Sequence, residues 1–536
     1  MPASPGTVER RLRLFNVWAT LCMAWVQLNP FQADEHFQIV ELAAYKLGLL
    51  PRSCLAWEFG YEVRPFFQPL LEYVFLRAVR LVPGIDVFSQ LALLRMAFAA
   101  LSFFALDRFV RESAFWLPES RRSAHKKLLY GLGFLPWLAA RPCSEVVATS
   151  FFVLGLCELL PPERGSVEAS GRAPRRPLLA GLLLGAAGET RFQTAFLLVG
   201  LLAWLLVIDR RKLSELGAIG LGGIVLRCVG ALADRWGYGH WVFPPYHYYH
   251  VNMVEGVANA FSTAPFTFYF LITWANFFLP SALLVFVSMF VLWARQPKHV
   301  LTWITLPFFF VHDILLAHKE ERFLWPLGML GAAGVVLAWG TAEGQGLGAR
   351  TVRRMYALKD GRAFRVLCAV NFAAMLLMMV YPLNWAEHIV MAKGLHRNSK
   401  DGDALVVEFP AESTHFNLFR REWKETHLDD RTGPCCPFDG DGPVLVVTSN
   451  GDGPLLPFAA TRELVFTEWP FGASLLGVRR SLTEGGRKLH EAYGDARPIR
   501  YYDLWRVTPA ANACKPELAR CAPFTFQPVY VRPPPH

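Results

Sequence analysis

An acidic pair followed by histidine, Asp34-Glu35-His36, stands directly after the first long apolar run of the chain. A carboxylate there can take a proton from an attacking hydroxyl, the work of a general base. The competing reading is structural: a helix is expected to start here, and acids are favoured in a first turn. Glu58, Glu62 and Arg64 follow, then Arg141 with Ser144-Glu145, then Glu189-Thr190-Arg191, then His318-Lys319-Glu320-Glu321-Arg322. The last three groups flank apolar runs. Lys and Arg at such places suit an anionic phosphate. The alternative is a loop of internal ion pairs whose long stems snorkel. An ionisable group costs about 2.5–3.5 kcal/mol at mid-bilayer and less near the interface. Their recurrence on one side of the membrane therefore marks a candidate site. Arg227 lies inside an apolar run, where a lipid headgroup or a buried acid would satisfy it. The aromatic stretch Trp241 to His250 reads as an interfacial belt. Gly217 to Gly223 has no phosphate-loop order and reads as close helix packing.

What must position these groups is a set of membrane helices. Of 536 residues, 53% are hydrophobic and only 18% charged, against about 25% charged in a soluble domain. Apolar segments fall near 14–29, 91–107, 128–140, 145–160, 178–188, 191–208, 213–233, 266–293, 300–317, 323–341 and 363–382, which makes about eleven spans. The runs 128–140 and 178–188 are short and are expected to be tilted, broken or re-entrant. The net charge of +10 would raise nucleic-acid binding in a soluble protein. Here it sits in short loops and reports orientation instead. With the N-terminus cytoplasmic, one side of the membrane carries 24 Lys and Arg and the other ten, before the C-terminal region. That is the positive-inside bias. It favours two short passes over one long helix across 178–208. The N-terminal apolar run lacks a small-residue cleavage site and reads as a retained first span.

The first non-cytoplasmic loop, about 29–90, carries apolar runs at 37–50 and 66–82 that are expected to lie as helices in the membrane interface. After residue 384 the composition turns strand-like, with candidate strands at 404–409, 444–448, 463–466 and 501–507. The expected fold is thus an α-helical polytopic membrane protein over 1–384 with a small non-cytoplasmic mixed α/β domain over 385–536. Cys435, Cys436, Cys514 and Cys521 lie in that tail, where an oxidising compartment permits disulfides of unassigned pairing.

The ordered pieces Ala33 to Gln38, Trp57-Glu58-Phe59 with Glu62-Val63-Arg64, Arg141 to Glu145, Arg191 to Ala195, Asp234 to Gly239 and His318 to Phe323 resemble the lipid-linked mannosyltransferases of glycosyltransferase family 22, a GT-C class. Within it, Asp-Glu-His-Phe-Gln is most similar to the GPI mannosyltransferases adding a third mannose. Ala33 for proline, Phe192-Gln193 after Arg191, and Ser262 to Phe266 without His-Pro-Trp depart from the family pattern. The resemblance implies a GT-C-like fold in the endoplasmic reticulum membrane, or a bacterial inner membrane for a prokaryotic source. It implies dolichyl-phosphate mannose as donor, a glycolipid acceptor and membrane lipid as partners, with no nucleic acid, metal or cofactor. The product would be an α-linked mannose formed with inversion. It assigns Asp34 as base with Glu35 in reserve, Lys319, Arg322 and Arg191 to the donor phosphate, and His36, Glu62, Arg64, His318 and Glu320 to substrate. The alternatives are a mannosyltransferase for a lipid-linked oligosaccharide or bacterial glycan, a non-catalytic membrane subunit, and a lipid or sugar transporter. A transporter would show internal repeats, and none is visible.

Overall fold

The long apolar runs fold as helices because straight-chain and aromatic residues fill them and few Pro or Gly interrupt. The computed structural model describes residues 5–30, 32, 34–52, 55–160, 176–261, 263–270, 279–339, 362–380, 386–400, 402–407, 424–427, 444–449, 459–467 and 502–509. The four tail cysteines, the stretches 161–175 and 340–361, Ala33 and Ser262 lie outside them. Among the described residues, Val87–Trp116, Leu213–Tyr238 and Glu321–Ala338 are long and apolar enough to cross a membrane, and five shorter apolar helices accompany them. The chain divides into two compact units.

The first unit comprises Met1–Gln27, Glu62–Val74 and Ala92–Val380. Its core is made of residues such as Leu106, Phe109, Phe152, Leu201, Ile304 and Leu330, all fully buried. The run at 128–140 is not one helix. Glu119–Gly131 ends, Leu132 is extended, and Phe134–Ala139 restarts. Asn371 stitches the break: its amide nitrogen donates to the Gly131 carbonyl at 2.8 Å, and its amide oxygen accepts from the Gly133 N–H at 3.1 Å. Buried backbone groups released by a helix break need such partners. The run at 178–208 divides at Arg191, whose backbone is extended between Pro177–Thr190 and the turn Phe192–Thr194. Helix Pro177–Thr190 packs along Leu213–Tyr238. The contact needs small residues: a Cβ on Gly222 would sit 2.5 Å from the Leu178 carbonyl oxygen. The far side of Leu213–Tyr238 presents Leu221, Ile224 and Leu232 outward, over half exposed, as a helix facing hydrocarbon would.

The second unit comprises Leu28–Tyr61, Phe75–Leu91 and Tyr381–His536. The expected helix at 37–50 starts as a π turn, His36–Val40, and continues as Glu41–Lys46. A five-stranded mixed sheet is built from β1 Ala404–Val407, β2 Lys424–His427, β3 Val444–Ser449, β4 Ala459–Thr467 and β5 Tyr502–Pro509, in the order β2-β1-β3-β5-β4. β1 runs parallel to β2 and β3, while β5 is antiparallel to β3 and β4. Helix Ala386–Asn398 packs on β5, and its His396 meets the Phe88 ring edge-on at 5.6 Å.

Candidate active site

Three helix boundaries of the first unit converge on Glu145. This carboxylate sits in the first turn of Ser144–Leu159, where an acid meets the positive end of the helix dipole. Arg191, held at the break described above, reaches it at 2.9 Å. Arg322, in the 3₁₀ turn Glu321–Leu324, approaches the same oxygen at 3.6 Å and holds Glu320 at 2.6 Å. His318 closes the chain on Glu320 at 3.0 Å. Lys319 Nζ donates to the Leu316 carbonyl. Glu145, Arg191, Lys319, Glu321 and Arg322 are all buried. Three cations here face three acids, Glu145, Glu320 and Glu321, so the group is close to neutral. Burial opposes ionisation of Glu320. Arg322, then the hydrogen bond from His318, outweigh it and hold that carboxyl well below the usual carboxylate range. Burial lowers the Lys319 ammonium, only partly offset by Asp313.

Beside this cluster opens a crevice of about 230 Å³, lined by Glu145, Arg191, Gln193, Thr194, Phe308, His312, Phe323 and Pro326. His312 belongs to the π turn Val311–Leu315 that ends helix Val300–Phe310. Such turns insert one extra residue and recur at functional sites.

Glu62 and Arg64 form a second group in the same unit. Glu62 has φ +58°, a left-handed conformation uncommon for a non-glycine residue. Its carboxylate faces His240 at 2.8 Å and His247 at 3.8 Å. Arg64 lies over the Tyr248 ring at 5.9 Å, and its carbonyl accepts from the Tyr238 hydroxyl at 2.8 Å.

Asp34, Glu35 and His36 lie in the second unit. Asp34 is half-buried, while Glu35 and His36 are buried. Glu35 makes no side-chain cap on the π turn that follows it. His36 Nε2 stands 3.6 Å from Glu41, and Gln38 donates to Glu58 at 2.7 Å.

The model of the Alg9-like mannosyltransferase family matches residues 13–401, nearly three quarters of the chain. The chain belongs to that family. Two curated relatives agree. A Schizosaccharomyces pombe protein described as a probable Dol-P-Man:Man(7)GlcNAc(2)-PP-Dol alpha-1,6-mannosyltransferase is 36% identical over 146 residues, 27% of this chain and 26% of that one. GPI mannosyltransferase 3 of Gibberella zeae is 25% identical over 352 residues, 59% of this chain and 56% of the other. The matched stretches thus span between a quarter and somewhat over half of these relatives. In fold, the chain is similar to ArnT of Cupriavidus metallidurans, crystallised with undecaprenyl phosphate, with a TM-score of 0.51 at 12% identity over 94% of this chain and 98% of that one. Its apo form gives 0.50 at 12% identity, over 82% and 92%. The family resemblance and the GT-C-like helical fold stated above therefore stand.

Within this mannosyltransferase family member, the structure joins Arg191, His318, Glu320 and Arg322 into one ion-paired cluster with Lys319 alongside, and Glu62 with Arg64 into another group. It resolves Arg227, left open by the sequence. Arg227 binds buried acids, Glu189 at 2.6 Å and Asp234 at 2.9 Å. The acceptor at the centre of the first cluster, Glu145, entered the sequence reading only as a flanking acid. His312 and Asp313 were missed inside the run 300–317. Their signal was two ionisable residues within an otherwise apolar segment.

Proposed function

We propose that the chain is an inverting mannosyltransferase of the endoplasmic reticulum membrane that moves mannose from dolichyl-phosphate mannose onto a GPI-anchor precursor, in α-1,2 linkage. The observation that carries this reading is family membership together with the buried Arg191–Glu145–Arg322 cluster bordering a crevice. Residues 1–384 would form the catalytic domain of about eleven spans, with 385–536 lumenal. Asp34 takes the proton of the acceptor hydroxyl as the new oxygen–C1 bond forms. The C1–phosphate oxygen bond breaks on the opposite face, and its electron pair leaves with dolichyl phosphate. Glu35 stands in reserve as base. The N–H groups of Arg191 and Arg322 and the Lys319 ammonium stabilise the charge that develops on the departing phosphate. His36, Glu62, Arg64, His318 and Glu320 orient the sugars. The ion pairing of the cluster fits this role, because guanidinium groups fixed by carboxylates need no reorganisation when charge appears.

The test is transfer of radiolabelled mannose from dolichyl-phosphate mannose in membranes carrying the Asp34→Asn variant. Transfer should fall to background while the protein remains folded; full activity would remove Asp34 from the role. Mapping residues 34 and 319 to opposite compartments would end the scheme. A second acceptor is favoured by one observation, the 36% identity to the S. pombe protein. A mannose-bearing dolichyl-pyrophosphate oligosaccharide, assayed beside a GPI precursor, separates the two.

A further inference from the structure

Among the buried polar groups of the first unit, His312 stands apart in being packed against a crevice with half of its hydrogen-bonding capacity unused. The side chain is 1% exposed. Nδ1 lies 2.8 Å from the Phe308 carbonyl oxygen, which can only accept, so Nδ1 carries a hydrogen. In the neutral ring this leaves Nε2 as an acceptor, and Nε2 has no hydrogen-bond partner among the described residues. The ring cannot swing away to find one. Phe308 is packed at 4.2 Å, Phe196 at 5.8 Å and Phe323 at 6.1 Å between ring centres. Two further polar atoms on crevice residues are in the same state. Arg191 Nε is buried and unpartnered. One end of the Gln193 amide bonds the Tyr248 hydroxyl at 2.7 Å while the other end is unpartnered. Buried polar groups are almost always satisfied, and an exception calls for a ligand or a water.

The chemistry of the ligand follows from the mixture. A phosphate oxygen would satisfy Arg191 Nε–H but offers no hydrogen to the Nε2 lone pair. A sugar hydroxyl donates and accepts, so one hydroxyl serves His312 and a neighbouring one serves Arg191. A crevice of about 230 Å³ is below the roughly 300–1,000 Å³ of drug-sized sites. It suits one sugar ring and excludes a lipid tail. Phe308, Phe323 and Pro326 supply apolar walls for the C–H faces of such a ring.

We propose that His312 is a substrate-binding residue that accepts a hydrogen bond from a hexose hydroxyl in this crevice, making it a reader of sugar where the adjoining cations face phosphate. The inference rests on the mannosyl-transfer reading above. The hexose comes from the donor or from the acceptor terminus, and the experiment separates them. Binding of dolichyl-phosphate mannose and of sugar-free dolichyl phosphate is measured on the full chain in detergent, for wild type, His312→Phe and His312→Gln. The GPI-precursor KM is measured in parallel. With a donor hexose, wild type prefers the mannose-bearing lipid. His312→Phe then weakens that lipid about five- to tenfold, the value of one neutral hydrogen bond, and leaves dolichyl phosphate unchanged. With an acceptor hexose, both lipids bind as before and the acceptor KM rises by a similar factor. Either result supports the proposal. His312→Gln retains an acceptor oxygen and should recover most of the loss. It also decides the matter if the phenylalanine variant does not fold, and a glutamine variant that has lost all sugar preference counts against the role. Equal loss of both lipids would mean that the histidine only shapes the turn. No change in any arm would mean that the crevice holds water alone. Each overturns the proposal while leaving mannosyl transfer intact, whereas a wild type that binds neither lipid removes the functional reading and this inference with it.

Discussion

Two clusters of arginine and carboxylate lie buried in the same unit, and they differ in what they leave over. Around Arg227 the accounts close. Its two nitrogens meet Glu189 and Asp234, the second oxygen of Asp234 accepts the Phe66 N–H at 2.8 Å, and Gly230 makes room, since a Cβ there would fall 1.9 Å from Glu189 Oε2. Around Glu145 the acids hold Arg191 and Arg322, yet Arg191 Nε, the Gln193 amide and His312 Nε2 lack partners on residues that border open space. Buried charge therefore does not by itself mark a site. Unspent hydrogen-bonding capacity beside a void is the better sign.

The sharpest way to break this contrast is to remove one arginine from each cluster. Arg191→Ala should cut mannosyl transfer about 100- to 1,000-fold, the scale of losing one charge-stabilising donor, with far less effect on thermal unfolding in detergent. Equal damage to both would make it a mere structural brace. A third kind of buried acid sharpens the comparison. Glu72, fully buried, has the neutral Gln68 as hydrogen-bond partner at 3.2 Å. Burial pushes its carboxyl up to about 8, against the smaller opposing effects of Gln68 and Arg95. A carboxyl raised on folding favours the protonated native state. Its contribution is present at pH below the usual 4.5 and is lost as pH rises towards 8. Glu72→Gln should therefore stabilise the protein by on the order of 3 kcal/mol at pH 7 and by little at pH 4, seen as a flattened pH profile of the unfolding midpoint. Arg227→Ala should cost about 2 kcal/mol of stability by stranding two acids, with transfer per folded molecule preserved; a selective loss of transfer would place this triad in the chemistry. The smallest effect is expected from Gly222→Ala, about 1–2 kcal/mol through separation of two helices, read in the same unfolding assay.

Much of this could be seen in the residue order, for reasons that particular elements make plain. The division of the 178–208 run at Arg191 was legible because basic loops on both flanks need a return across the membrane. β3 and β5 were legible as β-branched and aromatic runs such as Val444 to Thr448. β2, Lys-Glu-Thr-His, carries no apolar alternation and exists by pairing with β1 through Ala404↔Lys424 to Val407↔His427. Such strands are made by their neighbours. The cationic loop 318–322 stood out as a charge block, but its acceptor, Glu145, is 173 positions earlier in the chain and only folding brings it close. His312 was hidden for the opposite reason, since its neighbours in sequence are apolar and its role depends on the turn that carries it.

That turn has a genetic consequence. A π turn holds one more residue than the α-helix could accommodate. Deleting a single codon within 311–315 would let the coil of Val300–Phe310 run on regularly. Everything beyond the deletion would then rotate by about 100° around the axis. A chain shortened by one amino acid would keep its length across the bilayer almost unaltered and yet turn its imidazole towards a different neighbour.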